Sequence, residues 1–223
     1  MANLHGVFKW VYDIGNWLAK IMYLHLLWVL FTVVGLGLFG ITPATIALVS
    51  VIHKWVDQDF DIPIFKNFFT EYKRECFKSN GFGLILIALG VFFYVDIKIS
   101  QQLIQSFYFH AFLLFISLLY IVTVLHFFTV YVRYDLKFFF YFRQSFLIAI
   151  ARPFETIAMV ISLIALSYLF SFLPVLIFFM GSSLVVYPLV WFGYRACYEV
   201  ERKKEKLNEE KMENTEKNND VSS

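Results

Sequence analysis

Charge is scarce in this sequence. Only 16% of its 223 residues are Asp, Glu, Lys or Arg, against roughly a quarter in an average soluble domain. Hydrophobic residues make up 60% and aromatics 21%, so the chain cannot cover its own surface with polar groups in water. Cysteine is nearly absent: Cys76 and Cys197 are too few for a disulfide framework or a thiolate metal cage. A net charge of +2 is too small to suggest nucleic acid as a partner. Catalytic signatures are missing as well, with no H-E-x-x-H, no P-loop and no G-x-S-x-G elbow. The expectation is a protein that is not an enzyme and uses no cofactor or metal.

What the sequence has instead is long apolar runs. They fall at 18–34, 43–55, 81–95, 107–132, 154–173 and 174–194. The fold class they predict is all-α: a polytopic helical membrane protein with six apolar helices and a few amphipathic helices at the interface. Unbroken, the block from 18 to 55 would make a helix of about 57 Å, near twice a hydrocarbon core of about 30 Å. Gly35, Gly37, Gly40 and Pro43 are placed to break it. The letters GLGLFG also spell G-x-G-x-x-G, but a dinucleotide site needs a preceding strand and a βαβ unit, which this apolar context excludes. The reading is therefore a turn, then a short second helix with Thr42 as N-cap and Pro43 at its first position.

Between the runs lie segments with a polar and an apolar face. Leu4, Val7, Phe8, Val11 and Tyr12 share one face of 1–17, as do Phe65, Phe68, Phe69, Tyr72 and Cys76 of 65–78. Both are expected to lie in the membrane interface, and so is the basic, Phe-rich connector 133–152. The charged tail, 201–223, has no apolar period and is expected to be disordered beyond about residue 207.

Positive charge sets the orientation, because Lys and Arg translocate poorly. Residues 53–80, 133–152 and the stretch after 194 carry fourteen of them up to Lys206, whereas the opposite connectors carry Lys98 alone. The basic side should face the cytoplasm, with both termini on it.

Ionisable side chains in or beside the spans are His25, Asp96, His110, His126 and Glu155. Their ordinary roles are water contact at a span end, a carboxylate at a helix N-terminus and interhelical hydrogen bonds. Functional candidates are His126, Arg133, Asp135, Arg152 and Glu155, with Arg133 and Asp135 able to form a local ion pair or to dock a partner.

The run from Gly40 to Asn80 resembles the signature of the YesL family, small integral membrane proteins of mainly Gram-positive bacteria. Its matching positions are Gly40, Pro43, Ala44, Thr45, Lys54, Trp55, Phe65, Phe69, Lys78 and Asn80, with Thr42 where a glycine is more usual. Arg152–Pro153 agrees too. The resemblance implies a multi-pass protein of the bacterial plasma membrane. By association it implies a non-enzymatic accessory role in carbohydrate uptake beside ABC-transporter components. The alternative is a small stand-alone transporter or channel with a path lined by His126 and Glu155. The expected partners are the lipid bilayer and those transporter components.

Overall fold

The computed structural model describes residues 2–57, 59–100 and 107–222, with side chains described over 9–37, 39–57, 59–100 and 107–212. Seven helices follow one another: α1 (Ala2–Val34), α2 (Leu38–Val56), α3 (Ile64–Ile99), α4 (Phe107–Arg133), α5 (Phe138–Ala151), α6 (Pro153–Phe172) and α7 (Val175–Ser222). All except α5 are long and apolar enough to cross a membrane, and no strand occurs among the described residues. The chain is a polytopic helical membrane protein.

α2 sits at the centre. Of its apolar stretch 67% is buried inside the protein, against 28% at most for the other five. It packs against α1, α3, α4 and α7. Ala44, Ala47, Leu48, Val51, Ile52 and Trp55 meet Ile21, Leu24 and Phe31 of α1 and Phe68 of α3 in one core. Lipid tails are as apolar as these side chains, so close packing rather than escape from water favours this arrangement. A helix only 19 residues long and apolar over most of its surface suits a place wrapped by other helices.

The α1–α2 turn is tight and has an identifiable geometry. Leu36 N–H donates to the Val33 carbonyl (3.0 Å) and Gly37 N–H to the Thr32 carbonyl (2.9 Å). That pair of bonds is a Schellman motif, which normally places glycine in the left-handed position. Here Leu36 occupies it, at φ 59°. Gly35 and Gly40 face each other across the turn: a Cβ on Gly40 would run into the backbone at Thr32 and Gly35.

The helix start differs from the sequence reading. α2 begins at Leu38, so Pro43 lies inside it and Thr42 is not its cap. Thr42 is buried and presses on Gly83 of α3, which leaves no room there for a Cβ. The closeness at Gly40 and the α2–α3 contact outweigh the hydrogen bond that a proline removes from a helix interior. Phe39, in the first turn of α2, is 54% exposed; the Leu38 side chain lies outside the described residues.

Three expected breaks are absent. Residues 2–34 form one helix, residues 64–99 another, and α7 runs to Ser222 where irregular chain was expected past about 207. No proline interrupts 9–34 or 64–99, and the tail is rich in Glu and Lys, both good helix formers. A helix already nucleated by packing then propagates at little further cost. At 48 residues α7 is about 72 Å long, so roughly 40 Å of it extends past a bilayer core.

Candidate functional site

Seven charged residues gather in one cleft at the end of the bundle that carries the basic connectors. Its volume is about 660 Å³. α2 supplies Ser50, His53 and Lys54, spaced so that they share a face. α3 supplies Glu71, Arg74, Glu75 and Lys78, again three or four apart. The end of α4 and the connector after it supply Tyr131, Arg133, Tyr134 and Asp135, and α5 supplies Tyr141. Below lies an aromatic core in which the Phe82 ring stacks on Phe138 (4.2 Å between centroids) and meets Tyr131 and Tyr141 edge-on.

Most of the charges are already engaged. Arg74 binds the carboxylates of both Glu71 and Glu75, with Nε 2.9 Å from Glu75 Oε1. The Tyr131 hydroxyl donates to the other oxygen of Glu75. Arg133 grips Glu201 of α7 with two parallel bonds, 3.0 and 2.6 Å, and its guanidinium lies over the Tyr194 ring at 4.6 Å. Tyr134 donates to the same Glu201 carboxylate. Burial first, and that bond second, push the Tyr134 phenol well above the usual tyrosine range, so it stays a donor. Tyr194 in turn donates to Asp57 (2.6 Å). These contacts fasten α4, α7 and the α2 end together as one frame.

Two cations are engaged differently. Lys54 donates to the neutral amide oxygen of Asn67 (2.6 Å). The Lys78 ammonium sits 5.7 and 5.8 Å from the ring centres of Tyr131 and Tyr141, a cation–π arrangement. His53 packs against Tyr194, and its Nε2 is enclosed without a hydrogen-bond partner.

The sequence-derived candidates separate into three groups. Arg133 and Asp135 line the cleft but are not each other's partners: Arg133 turns to Glu201, 68 residues away. Arg152 lies outside the cleft lining and pairs with Glu199 (3.0 Å). His126 is fully buried, with Nε2 2.9 Å from Thr156 Oγ1, and Glu155 stands in the first turn of α6 with one carboxylate oxygen enclosed and unpartnered. Neither lines the cleft. Nearer the other end, His25 bonds Ser182 (2.7 Å) and Phe178 (3.0 Å), while His110 reaches Ser100 at 3.5 Å.

The motif residues divide the same way. Gly40, Pro43, Ala44 and Trp55 belong to the turn and to the packing of α2, and Thr45 bonds Trp28 (3.1 Å). Phe65 and Phe69 stack on one another and flank Phe31. Asn80 caps nothing beyond its own helix, donating to the Cys76 carbonyl (2.6 Å). Lys54 and Lys78 alone of the ten stand in the cleft. Glu71 and Glu75 are not among the candidates read from the sequence, which considered ionisable residues only in or beside the spans and the basic motifs. Their spacing with Arg74 and Lys78, acid and base alternating at three and four residues, was the available signal.

Three curated proteins of Bacillus subtilis (strain 168) match over most of this chain. YteU is 35% identical over 193 residues, 84% of this chain and 85% of YteU. YesL is 31% identical over 206 residues, 92% of this chain and 98% of YesL. YesV is 36% identical over 187 residues, 82% of this chain and 89% of YesV. The family model described as "Protein of unknown function, DUF624" matches residues 21–97. The chain belongs to this family, that of YesL. Within DUF624 the matched stretch covers the α1–α2 hairpin and most of α3, and so two walls of the cleft. All three relatives bear the description "uncharacterized protein". No solved structure matches at a significant level.

Proposed function

We propose that the protein is a non-enzymatic accessory of carbohydrate (ABC-type) uptake in the bacterial plasma membrane, engaging transporter components at its cytoplasmic face through the aromatic, basic segments of α3 and α5. The observation that carries this reading is where polarity sits. Charged side chains converge in one cleft at the basic end, framed by these two helices, and not along the bundle axis. The basic end is assigned to the cytoplasm by its fourteen Lys and Arg against one at the other end.

A stand-alone transporter is the second reading, and its path would need His126 and Glu155. His126 is fully buried at the α4–α6 contact, Glu155 is half-buried in the first turn of α6, and both line none of three cavities, of which the other two are apolar grooves of about 530 and 620 Å³. The two readings are separated by a detergent pull-down from the native host together with transport in proteoliposomes. Recovery of permease or binding-protein subunits, with no solute flux by the purified protein, is the expected result. Unaided sugar movement without any such subunit would reverse the ranking.

A further inference from the structure

Charge along α7 is sorted by distance from the membrane. The apolar run 174–194 ends at Arg195, and the residues up to Lys206 hold Arg202, Lys203 and Lys204 against Glu199, Glu201 and Glu205. Glu199 is engaged by Arg152 (3.0 Å) and Arg202 (3.6 Å), and Glu201 by Arg133. With those two connector arginines, and with Asp57, which accepts the Tyr194 hydroxyl, seven cations face four carboxylates. One face of this root alternates aromatic and basic. Trp191, Arg195, Tyr198 and Arg202 recur at four, three and four residues, so they share a face, and all four are exposed. Gly193, Ala196 and Cys197, on the other side of the helix, are buried. The Arg195 guanidinium lies 5.9 Å from the Trp191 ring centre and has no carboxylate partner among the described residues. Beyond Lys206 the sign reverses, and Glu209, Glu210, Glu213, Glu216 and Asp220 outnumber Lys211 and Lys217.

We propose that this face of α7 binds the headgroup of an anionic glycerophospholipid, with its phosphate on Arg195, while Arg202 and the three lysines attract the surrounding headgroup layer. Arg195 directly follows the apolar span, which sets its guanidinium at headgroup depth, and Trp and Tyr are the side chains that favour that depth. Stacking on Trp191 leaves the guanidinium fork free to hold a phosphate by two parallel bonds. Arg202 lies about 10 Å further from the core, and its side chain reaches back one turn to Glu199. Each basic group near an anionic leaflet is held by its surface potential, which fades within a Debye length of about 8 Å. The acidic second half of the extension is repelled whenever the helix tilts toward that surface, so α7 stands off the membrane instead of lying on it. Continuity of the face with the span, and the reversal of sign beyond it, favour a lipid surface over a soluble acidic protein. The proposal rests on α7 crossing the membrane and is independent of the accessory role.

The test uses the full chain in nanodiscs of phosphatidylcholine and phosphatidylglycerol in equal parts, from which native mass spectrometry counts the lipids retained on the released protein. Phosphatidylglycerol should be retained in preference to phosphatidylcholine. Arg195→Gln should lower that preference about fivefold, the scale of one basic residue at an anionic surface. Glu205→Lys, at an exposed position in the same stretch, should raise it. Lys98 supplies the control: it stands 5.8 Å from the Tyr94 ring, also at four-residue spacing, with no other Lys or Arg in 79–132. Lys98→Gln should leave retention unchanged. Equal retention of the two lipids, or a preference that survives Arg195→Gln/Arg202→Gln in a monodisperse protein, overturns the proposal. So does a lysate pull-down in which these variants lose an acidic soluble protein while phosphatidylglycerol is retained as before. Recovery of transporter subunits is read separately, so its failure would touch the accessory role and not the lipid.

Discussion

Leu36 holds a backbone conformation that its side chain does not favour. In the left-handed region a Cβ crowds the following carbonyl at roughly 1–2 kcal/mol, and only glycine escapes it. The Leu36 side chain is 84% exposed, so it returns little packing. Leu36→Gly should therefore raise stability by about 0.5–1 kcal/mol in reversible denaturant unfolding, after the extra chain entropy of glycine is subtracted. A loss would mean that the leucine is held by something outside the chain, such as lipid. The Arg133–Glu201 pair makes the opposite point, since its two parallel bonds join residues whose side chains are only 16% and 36% exposed. A double-mutant cycle of Arg133→Ala and Glu201→Ala should give a coupling of about 1–2 kcal/mol, more than a fully exposed pair and less than a buried one. Neither feature was legible beforehand. Sequence places Leu36 in a turn but not in one particular cell of backbone space, and it cannot pair residues 68 apart.

At the scale of elements the pattern of apolar runs was enough to place six span-length helices, because membrane helices need length and apolarity that few other segments have. Their ends were less readable. Local cap chemistry pointed to a start at Thr42–Pro43, yet α2 starts at Leu38 because Gly40 lets the α1 and α2 backbones touch. That contact is tertiary, and a one-dimensional reading cannot see it. It has a sharp consequence. At Gly40 an added methyl meets rigid backbone, whereas at Gly81, in the interior of α3, it meets nothing within 4 Å. Gly40→Ala should lose at least about 2 kcal/mol or fail to insert as a hairpin. Gly81→Ala should gain about 0.5–1 kcal/mol from helix propensity alone. Thermal melts of the two variants in one detergent check both signs. Equal behaviour would show that the turn relaxes to admit a side chain.

For the molecule as a whole the decisive asymmetry is between its two ends. One end carries the basic connectors, the cleft and the long extension of α7, and the connectors at the far ends of the same helices include Lys98 and the α6–α7 junction; the glycine turn packs against α3 at Tyr72, whose hydroxyl donates to the Phe31 carbonyl (3.2 Å). If α1 and α2 each cross and the basic end faces the cytoplasm, the glycine turn is an outward-facing hairpin tip, with Leu36 as its most exposed described side chain. The test starts from a chain without reactive cysteine. Cys76→Ser is suited to a partly exposed site, but Cys197 is fully buried and is better replaced by Ala, which adds no hydroxyl to the core. One cysteine is then placed at Leu36 or at Lys206, an exposed position on α7. A membrane-impermeant maleimide should label Leu36→Cys on intact cells and Lys206→Cys only once the cells are opened. The α1–α2 hairpin makes the result informative about span number too: if α2 lay flat at the interface instead of crossing, both positions would be shielded until lysis. Labelling in the reverse order, with the protein still monodisperse, would invert the molecule. The cleft would then face outward, and engagement of cytoplasmic transporter components through its basic end would have to be abandoned.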